Sequence, residues 1–202
     1  MPSPPPEPLH ILILAAGGST RMRGADKLTE PVAGQPLLRH LAGQALASGL
    51  PVTVALSPAH PRRIAALHGL PVTLRQVPDA AKGMAHSLRA GLAHLPPEAA
   101  VLLLLADLPE ITAQDLTLMA EAHRAAPGLI LRATSQTGTP GHPVIFPAWV
   151  RPELMALSGD EGARAVLDRH PARLGLIALP DQHATTDLDT PEAWDAWRSG
   201  RE

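Results

Sequence analysis

The run VLLLLA at 101–106 restricts the possible folds more than any other stretch of the chain. Six apolar residues in a row suit a strand covered on both faces, as the inner strands of a parallel sheet are. The run is far too short to cross a bilayer as a helix. Segments 9–14, 52–56, 72–77, 129–133 and 174–179 read as further strands, all short and mostly aliphatic. Between them, 36–48, 61–68, 82–94 and a segment capped by Thr112 have helical spacing. Strands alternating with helices predict an α/β fold around a mostly parallel sheet.

The pattern loosens after Pro127. TSQTGTPGHPVIFP reads as a hairpin or an excursion at a sheet edge, followed by helices over 147–157 and 161–170. In DTPEAW, Thr190 and Pro191 read as the cap and first residue of a last helix. No repeat or internal linker is visible. The expected organisation is a disordered, proline-rich tail over 1–8 and a single domain over 9–198.

Composition excludes several function classes. A net charge of −2 gives no field for a polyanion, so nucleic acid is not an expected partner. With no Tyr, one Phe and three Trp, the chain also lacks a stacking platform for bases. The absence of Cys removes disulfides and thiolate metal sites and fits a cytoplasmic location. MPSPPPEP has neither the basic nor the apolar region of a signal peptide. No membrane partner is expected.

Polar residues cluster where strands should end, which is where open parallel sheets bind ligands. In ILILAAGGSTRMRGADK, Gly17 and Gly18 allow backbone N–H groups close to a phosphate, while Arg21 and Lys27 supply a fork and a point charge. Two readings stand: a phosphate loop, or a strand-to-helix connection with solvated arginines. The spacing matches neither GxGxxG nor a Walker loop. Asp107, directly after the apolar run, is placed either to hold Mg²⁺ beside substrate phosphates or to cap the turn before Pro109. Asp187 and Asp189 share one side of an extended segment with Leu188 turned inward, although acidic residues before a helix are also ordinary caps. The ten histidines form no HExxH pair, and only His142, in a Gly- and Pro-rich turn, stands out. No G-x-S-x-G elbow is present.

LAAGGSTRMRGADKL resembles the signature loop of the molybdenum-cofactor nucleotidyltransferase-like families. GQPLLRH, GMAHSLRAGL, ADLPEIT, GHPVIF, SGDEGAR and DLDTPEAW follow in the order of that group, so the resemblance runs from Leu9 to Trp194. It is nearest to the molybdopterin cytidylyltransferases. The resemblance implies a Rossmann-like three-layer α/β/α sandwich of nucleotidyltransferase (glycosyltransferase-A-like) architecture. It implies an enzyme that moves CMP from CTP, or another NTP, to the phosphate of a molybdopterin-type acceptor, with Mg²⁺ as cofactor. A molybdoenzyme would receive the product.

Carried over by residue, Leu14, Ala15, Ala16, Gly17 and Gly18 would wrap the nucleotide, and Gly83 and Ser87 would lie by the base. Lys27, Arg21 and Asp107 would be catalytic, Asp107 and Asp189 the metal ligands, and His142 and Asp160 acceptor-binding. Ala16 stands where guanylyltransferases of the group have glycine, which favours CTP. Two positions depart from the pattern: Arg23 where glycine usually follows the methionine, and Glu30 where an aliphatic residue is common. The alternatives are transfer to a sugar or alditol phosphate, and a non-catalytic accessory protein of a molybdoenzyme. A dinucleotide-dependent oxidoreductase ranks last because GxGxxG is missing.

Overall fold

The computed structural model describes residues 7–200. In chain order the strands are β1 Leu9–Leu14, β2 Pro31–Val32, β3 Gln35–Pro36, β4 Val52–Leu56, β5 Thr73–Gln76, β6 Ala100–Leu105, β7 Ile130–Thr134, β8 Pro140–Phe146 and β9 Leu174–Ala178. The helices are α1 Leu37–Ala47, α2 Pro61–Ala66, α3 Met84–Leu92, α4 Ala113–Ala125, α5 Arg151–Ala156, α6 Arg164–Arg169 and α7 Pro191–Ser199. Seven strands form one sheet in the order β5-β4-β1-β6-β8-β7-β9, and β2 and β3 form a small separate ribbon.

β6, which carries the apolar run, is the middle strand of the seven. Side-chain alternation sends Leu102 and Leu104 to one face with Ile11 and Ile13, under Leu38, Leu41, Leu116, Met119 and Trp194. Val101 and Leu103 go to the other face with Leu12, under Leu88, Leu92, Leu154 and Val166. Helices α1, α4 and α7 therefore cover one face and α3, α5 and α6 the other, giving the expected three layers. Gly91 lets α3 sit close on β1, since a Cβ there would lie 2.5 Å from a methyl of Leu12.

Local chemistry explains the element ends. Thr112 and Asp115 form a capping box at the start of α4. The Thr190 hydroxyl accepts from the Ala193 N–H at the start of α7, so Thr190 is the cap and the neighbouring carboxylates are left for other work.

Three expectations need correction. β8 forms the expected hairpin with β7 but is not at an edge: it runs antiparallel between β6 and β7. The Gly and Pro residues over 140–143 suggested an edge, but they fall where the ladder shifts register near Arg132 and Thr134, and Val144, Ile145 and Phe146 behind them are buried. The second correction concerns the helix expected over 161–170, which begins only at Arg164 because Gly159 takes φ 55° and turns the chain first. The third concerns the tail. Its residues 1–6 lie outside the described residues, whereas Glu7 accepts from the Ala148 N–H at 2.6 Å and the Pro8 carbonyl from the Ala100 N–H at 2.9 Å. Among the described residues no helix is long and apolar enough to cross a membrane.

Candidate active site

β1, β4 and β6 are parallel neighbours, so their carboxyl ends share one edge of the sheet. Leu14 pairs with Leu105, and the Leu14 carbonyl accepts from the Ala106 N–H at 3.2 Å. The loop after β1 and Asp107 after β6 therefore emerge side by side. Ala15 stays in the sheet through its N–H to the Ala55 carbonyl at 2.8 Å. Beyond Gly18 the chain makes two 3₁₀ turns, Thr20–Met22 and Lys27–Thr29. The Asp26 side chain accepts from the Leu28 N–H and starts the second turn, which presents Lys27 to the sheet edge.

The Lys27 ammonium lies 2.6 Å from Asp107 Oδ2 and 2.6 Å from Asp189 Oδ1. Arg21 pairs with the other oxygen of Asp189. Positions 80 and 162 residues from Lys27 thus meet at one cation. Side-chain exposures of 15%, 17% and 18% for Lys27, Asp107 and Asp189 mean that the three charges meet with little solvent screening. Burial acts to lower the Lys27 pKa, but the two carboxylates outweigh it and hold the ammonium above its ordinary range. Leu188, buried between the two aspartates, and Trp194, whose Nε1 donates to the Leu188 carbonyl at 3.1 Å, fix the 187–189 segment.

Asp187 completes a group of three carboxylates. Burial raises its pKa, and the charges of Asp189 and Asp107 raise it further. An acid whose folded pKa is raised costs stability once ionised, and the cost disappears as pH falls below the unfolded value. Asp187→Asn is expected to raise the melting temperature of the metal-free protein at pH 7 by about 1–3 °C. Melts at a series of pH values check this, because the gain should shrink toward pH ~4.

One oxygen of this group has no partner. Asp107 Oδ1 is buried and accepts no hydrogen bond among the described residues. Such an atom calls for an explanation, and a bound cation supplies one. No set of three or more His, Cys, Asp or Glu is arranged as metal ligands among the described residues. The donor set fits a Mg²⁺-type ion held by two carboxylates, with substrate phosphates and water completing the shell.

The remaining candidates divide into two neighbourhoods. Gly83 has φ 115°, and a Cβ on it would lie 2.2 Å from the Gly159 carbonyl oxygen and 2.7 Å from Asp160 Oδ1. Asp160 therefore sits over the start of α3, beside Gly83. Ser87 is buried further along α3, which packs on β1 and β4. His142 is near Asp107, whose charge acts on it. Burial and the Arg132 charge push the His142 imidazole down to about 4, so it is neutral at physiological pH. Its Nδ1 is buried without a partner. Arg132 donates Nε to the Gly141 carbonyl at 3.1 Å and has Arg164 as a cationic neighbour.

The two departures from the family pattern are accommodated. Arg23 itself adopts φ 52°, the left-handed conformation that glycine would take most easily, and its guanidinium reaches Glu192 at 2.5 Å. Glu30 pairs with Arg198 of α7 at 2.7 Å.

Sequence reasoning missed Arg63, Asp26, Arg132 and Arg164. Arg63 is fully buried, and Asp26 is its ion-pair partner at 2.7 Å. The available signal was Asp26, a carboxylate next to the key lysine that needed a partner of its own.

An α/β sheet with a cation-bearing loop after its first strand and carboxylates at its exit edge defines a domain of the nucleotidyltransferase kind. The family model described as "MobA-like NTP transferase domain" matches residues 11–174, and the chain belongs to this family. The purine catabolism protein PucB of Bacillus subtilis is 28% identical over 203 residues, covering 95% of this chain and 97% of that protein. The bifunctional protein GlmU of Halorhodospira halophila is 38% identical over 112 residues, which are 54% of this chain and 23% of GlmU. The chain thus spans less than a quarter of that relative's length. Among solved structures, Rv0371c from Mycobacterium tuberculosis H37Rv superposes with a TM-score of 0.80 at 26% identity, over 96% of this chain and 97% of that one. Rv0371C has also been solved as a complex with manganese, at TM-score 0.78 and 24% identity over 94% of this chain and 97% of that one.

Proposed function

We propose that the protein is a divalent-metal-dependent nucleotidyltransferase that moves CMP from CTP to the phosphate of a molybdopterin-type acceptor and releases pyrophosphate. The observation that carries this reading is Lys27 held between Asp107 and Asp189, with Asp107 Oδ1 buried and unpartnered. A cytoplasmic location and delivery of the product to a molybdoenzyme belong to the same proposal.

An oxygen of the acceptor phosphate forms a bond to the α-phosphorus, and the bond from that phosphorus to the bridging oxygen of the leaving pyrophosphate breaks. The acceptor phosphate is already ionised at neutral pH, so no strong general base is required. Alignment and charge neutralisation remain as the protein's tasks. Asp107 and Asp189 would hold Mg²⁺, which when bound neutralises charge on the phosphates around the reacting phosphorus. Lys27 would exchange its bonds to these carboxylates for phosphate oxygens, and Arg21 would steady the departing pyrophosphate. Leu14, Ala15, Ala16, Gly17 and Gly18 would line the nucleotide, with Gly83 and Ser87 toward its base. His142, neutral, would donate or accept a hydrogen bond on the acceptor side, where Arg132 and Arg164 add positive charge. Asp160, next to Gly83, would also serve the acceptor.

The test is mass-spectrometric product analysis with molybdopterin, equimolar CTP and GTP, and Mg²⁺. A cytidine dinucleotide of the cofactor with stoichiometric pyrophosphate is the expected result. A product only on a sugar or alditol phosphate would replace the acceptor, and binding without turnover would leave an accessory protein. In the same assay Ala16→Gly is expected to shift the product ratio toward GTP by about tenfold, the usual weight of one methyl group in a pocket. An unchanged ratio would remove Ala16 from nucleotide selection.

A further inference from the structure

Arg63 is the least exposed charged side chain of the described residues, at 0%. Burying a guanidinium is costly unless every donor is satisfied. Here all five are. Nε donates to Asp26 Oδ2 at 2.7 Å, and Nη2 donates to Asp26 Oδ1 at 2.8 Å and to Ser19 Oγ at 3.1 Å. Nη1 donates to the carbonyls of Ala15 at 2.6 Å and Gly17 at 2.7 Å. Four of the acceptor atoms' five bonds therefore tie down two places, the 15–17 backbone and Asp26, and the fifth reaches Ser19 between them. One side chain on α2 thus holds both ends of the loop that carries Arg21 and ends at Lys27.

The direction of the two carbonyls matters most. The peptides after Ala15 and Gly17 are trans, so the N–H groups of Ala16 and Gly18 point opposite to the carbonyls of Ala15 and Gly17. Since Arg63 binds those carbonyls, the two N–H groups point away from its guanidinium. Neither has a hydrogen-bond partner among the described residues. Unpaired backbone N–H groups pointing to the same side can together bind an anion. Asp26, fixed by the same guanidinium, immediately precedes Lys27 and caps its turn. Its pKa is lowered: burial would raise it, but the hydrogen bonds and charge of Arg63 prevail, so the pair stays charged at neutral pH.

We propose that Arg63 is a positioning residue for nucleoside triphosphate: by bonding the Ala15 and Gly17 carbonyls and Asp26 it aims the Ala16 and Gly18 N–H groups and the Lys27 ammonium at the phosphates. This rests on the nucleotide site proposed above and adds a group behind the loop that touches no substrate itself. A side chain that only filled space in this position could be apolar. The fork is needed because two carbonyls, a hydroxyl and a carboxylate must be held in one plane.

The test uses Arg63→Lys, which keeps the charge and loses the fork, and Asp26→Asn, which keeps the guanidinium and weakens its hold on the Lys27 turn. Calorimetry measures the affinity of the full chain for inorganic tripolyphosphate and for CTP with Mg²⁺, and circular dichroism reports the folded fraction. Both folded variants are expected to bind tripolyphosphate more weakly, by about 10- to 100-fold for Arg63→Lys, the cost of misplacing positioned groups by about an ångström. CTP KM should rise in parallel, with acceptor KM unchanged and kcat changed less than KM. Should Arg63→Lys fail to fold, Asp26→Asn carries the same comparison. Wild-type affinity for tripolyphosphate in either folded variant overturns the inference, since a purely structural role would lower the melting temperature and leave binding intact. If the wild-type protein binds neither tripolyphosphate nor CTP, the nucleotide reading fails and this inference with it. Wild-type binding with unaltered variants defeats this inference alone.

Discussion

Asp107→Ala is expected to lower nucleotidyl transfer by about two to three orders of magnitude, the usual loss for one removed electrostatic stabiliser, while the fold stays intact. The carboxylate accepts one hydrogen bond, from the Lys27 ammonium, and its other oxygen is buried without a partner. Its removal relieves Asp187, whose pKa is raised by burial and by the charges of Asp189 and Asp107, but leaves the largely buried Lys27 ammonium with Asp189 as its remaining carboxylate. The two effects oppose each other, so the metal-free variant should stay folded, with a melting temperature within about 5 °C of the wild type, while losing turnover. Near-normal pyrophosphate release by this variant would remove Asp107 from the mechanism.

The second large effect is expected from Gly83→Ala. At φ 115° any L side chain is strained, and the added Cβ would lie 2.2 Å from the Gly159 carbonyl oxygen. The obstacle is backbone rather than the tip of a flexible side chain. The Ala85 N–H also donates to that same carbonyl at 3.2 Å, so moving the 159–160 loop breaks a bond at the start of α3. We expect a loss of about 2–4 kcal/mol of stability, from strain and overpacking together. CTP KM should rise as well, because the displaced segment would lie beside the base. Denaturant unfolding and steady-state kinetics check both; a stable variant with unchanged KM would show that the contact between Gly83 and the 159–160 loop matters neither for folding nor for nucleotide.

The parts of this site legible in the sequence are those where backbone periodicity dictates position. Leu9–Leu14 and Val52–Leu56 form strands over the expected spans because aliphatic runs bounded by Gly and Pro leave few options. Asp107 had to emerge at a sheet edge because it ends the most apolar strand. Asp187 and Asp189 had to share a side because Leu188 is buried between them. That Lys27, Asp107 and Asp189 serve one nucleotide site was implied by the family resemblance, whereas the direct bonds from Lys27 to both aspartates were not, and no spacing rule could have shown them. Arg63 was hidden for another reason. Arg62 and Arg63 are adjacent on α2 and look equivalent, yet one is exposed and the other wholly enclosed. Which of two neighbouring arginines turns inward depends on the helix's rotation against the loop, and six residues carry too little amphipathic pattern to reveal it. The position of β8 was obscured by its prolines and glycines, whose effect is confined to the end where the ladder shifts register.

The most direct test of the central claim is electron paramagnetic resonance of Mn²⁺ titrated with the protein and CTP. CTP binds Mn²⁺ by itself, so the reading is the change on adding protein to Mn²⁺ and CTP. If a nucleotide triphosphate and a divalent ion share the site of Lys27, Asp107 and Asp189, the wild-type chain should lower the free Mn²⁺ signal below that left by CTP alone. The Asp107→Ala and Asp189→Ala variants should leave it at the level set by CTP. An equal further loss with the wild-type chain and with both variants would place the ion elsewhere and contradict the account.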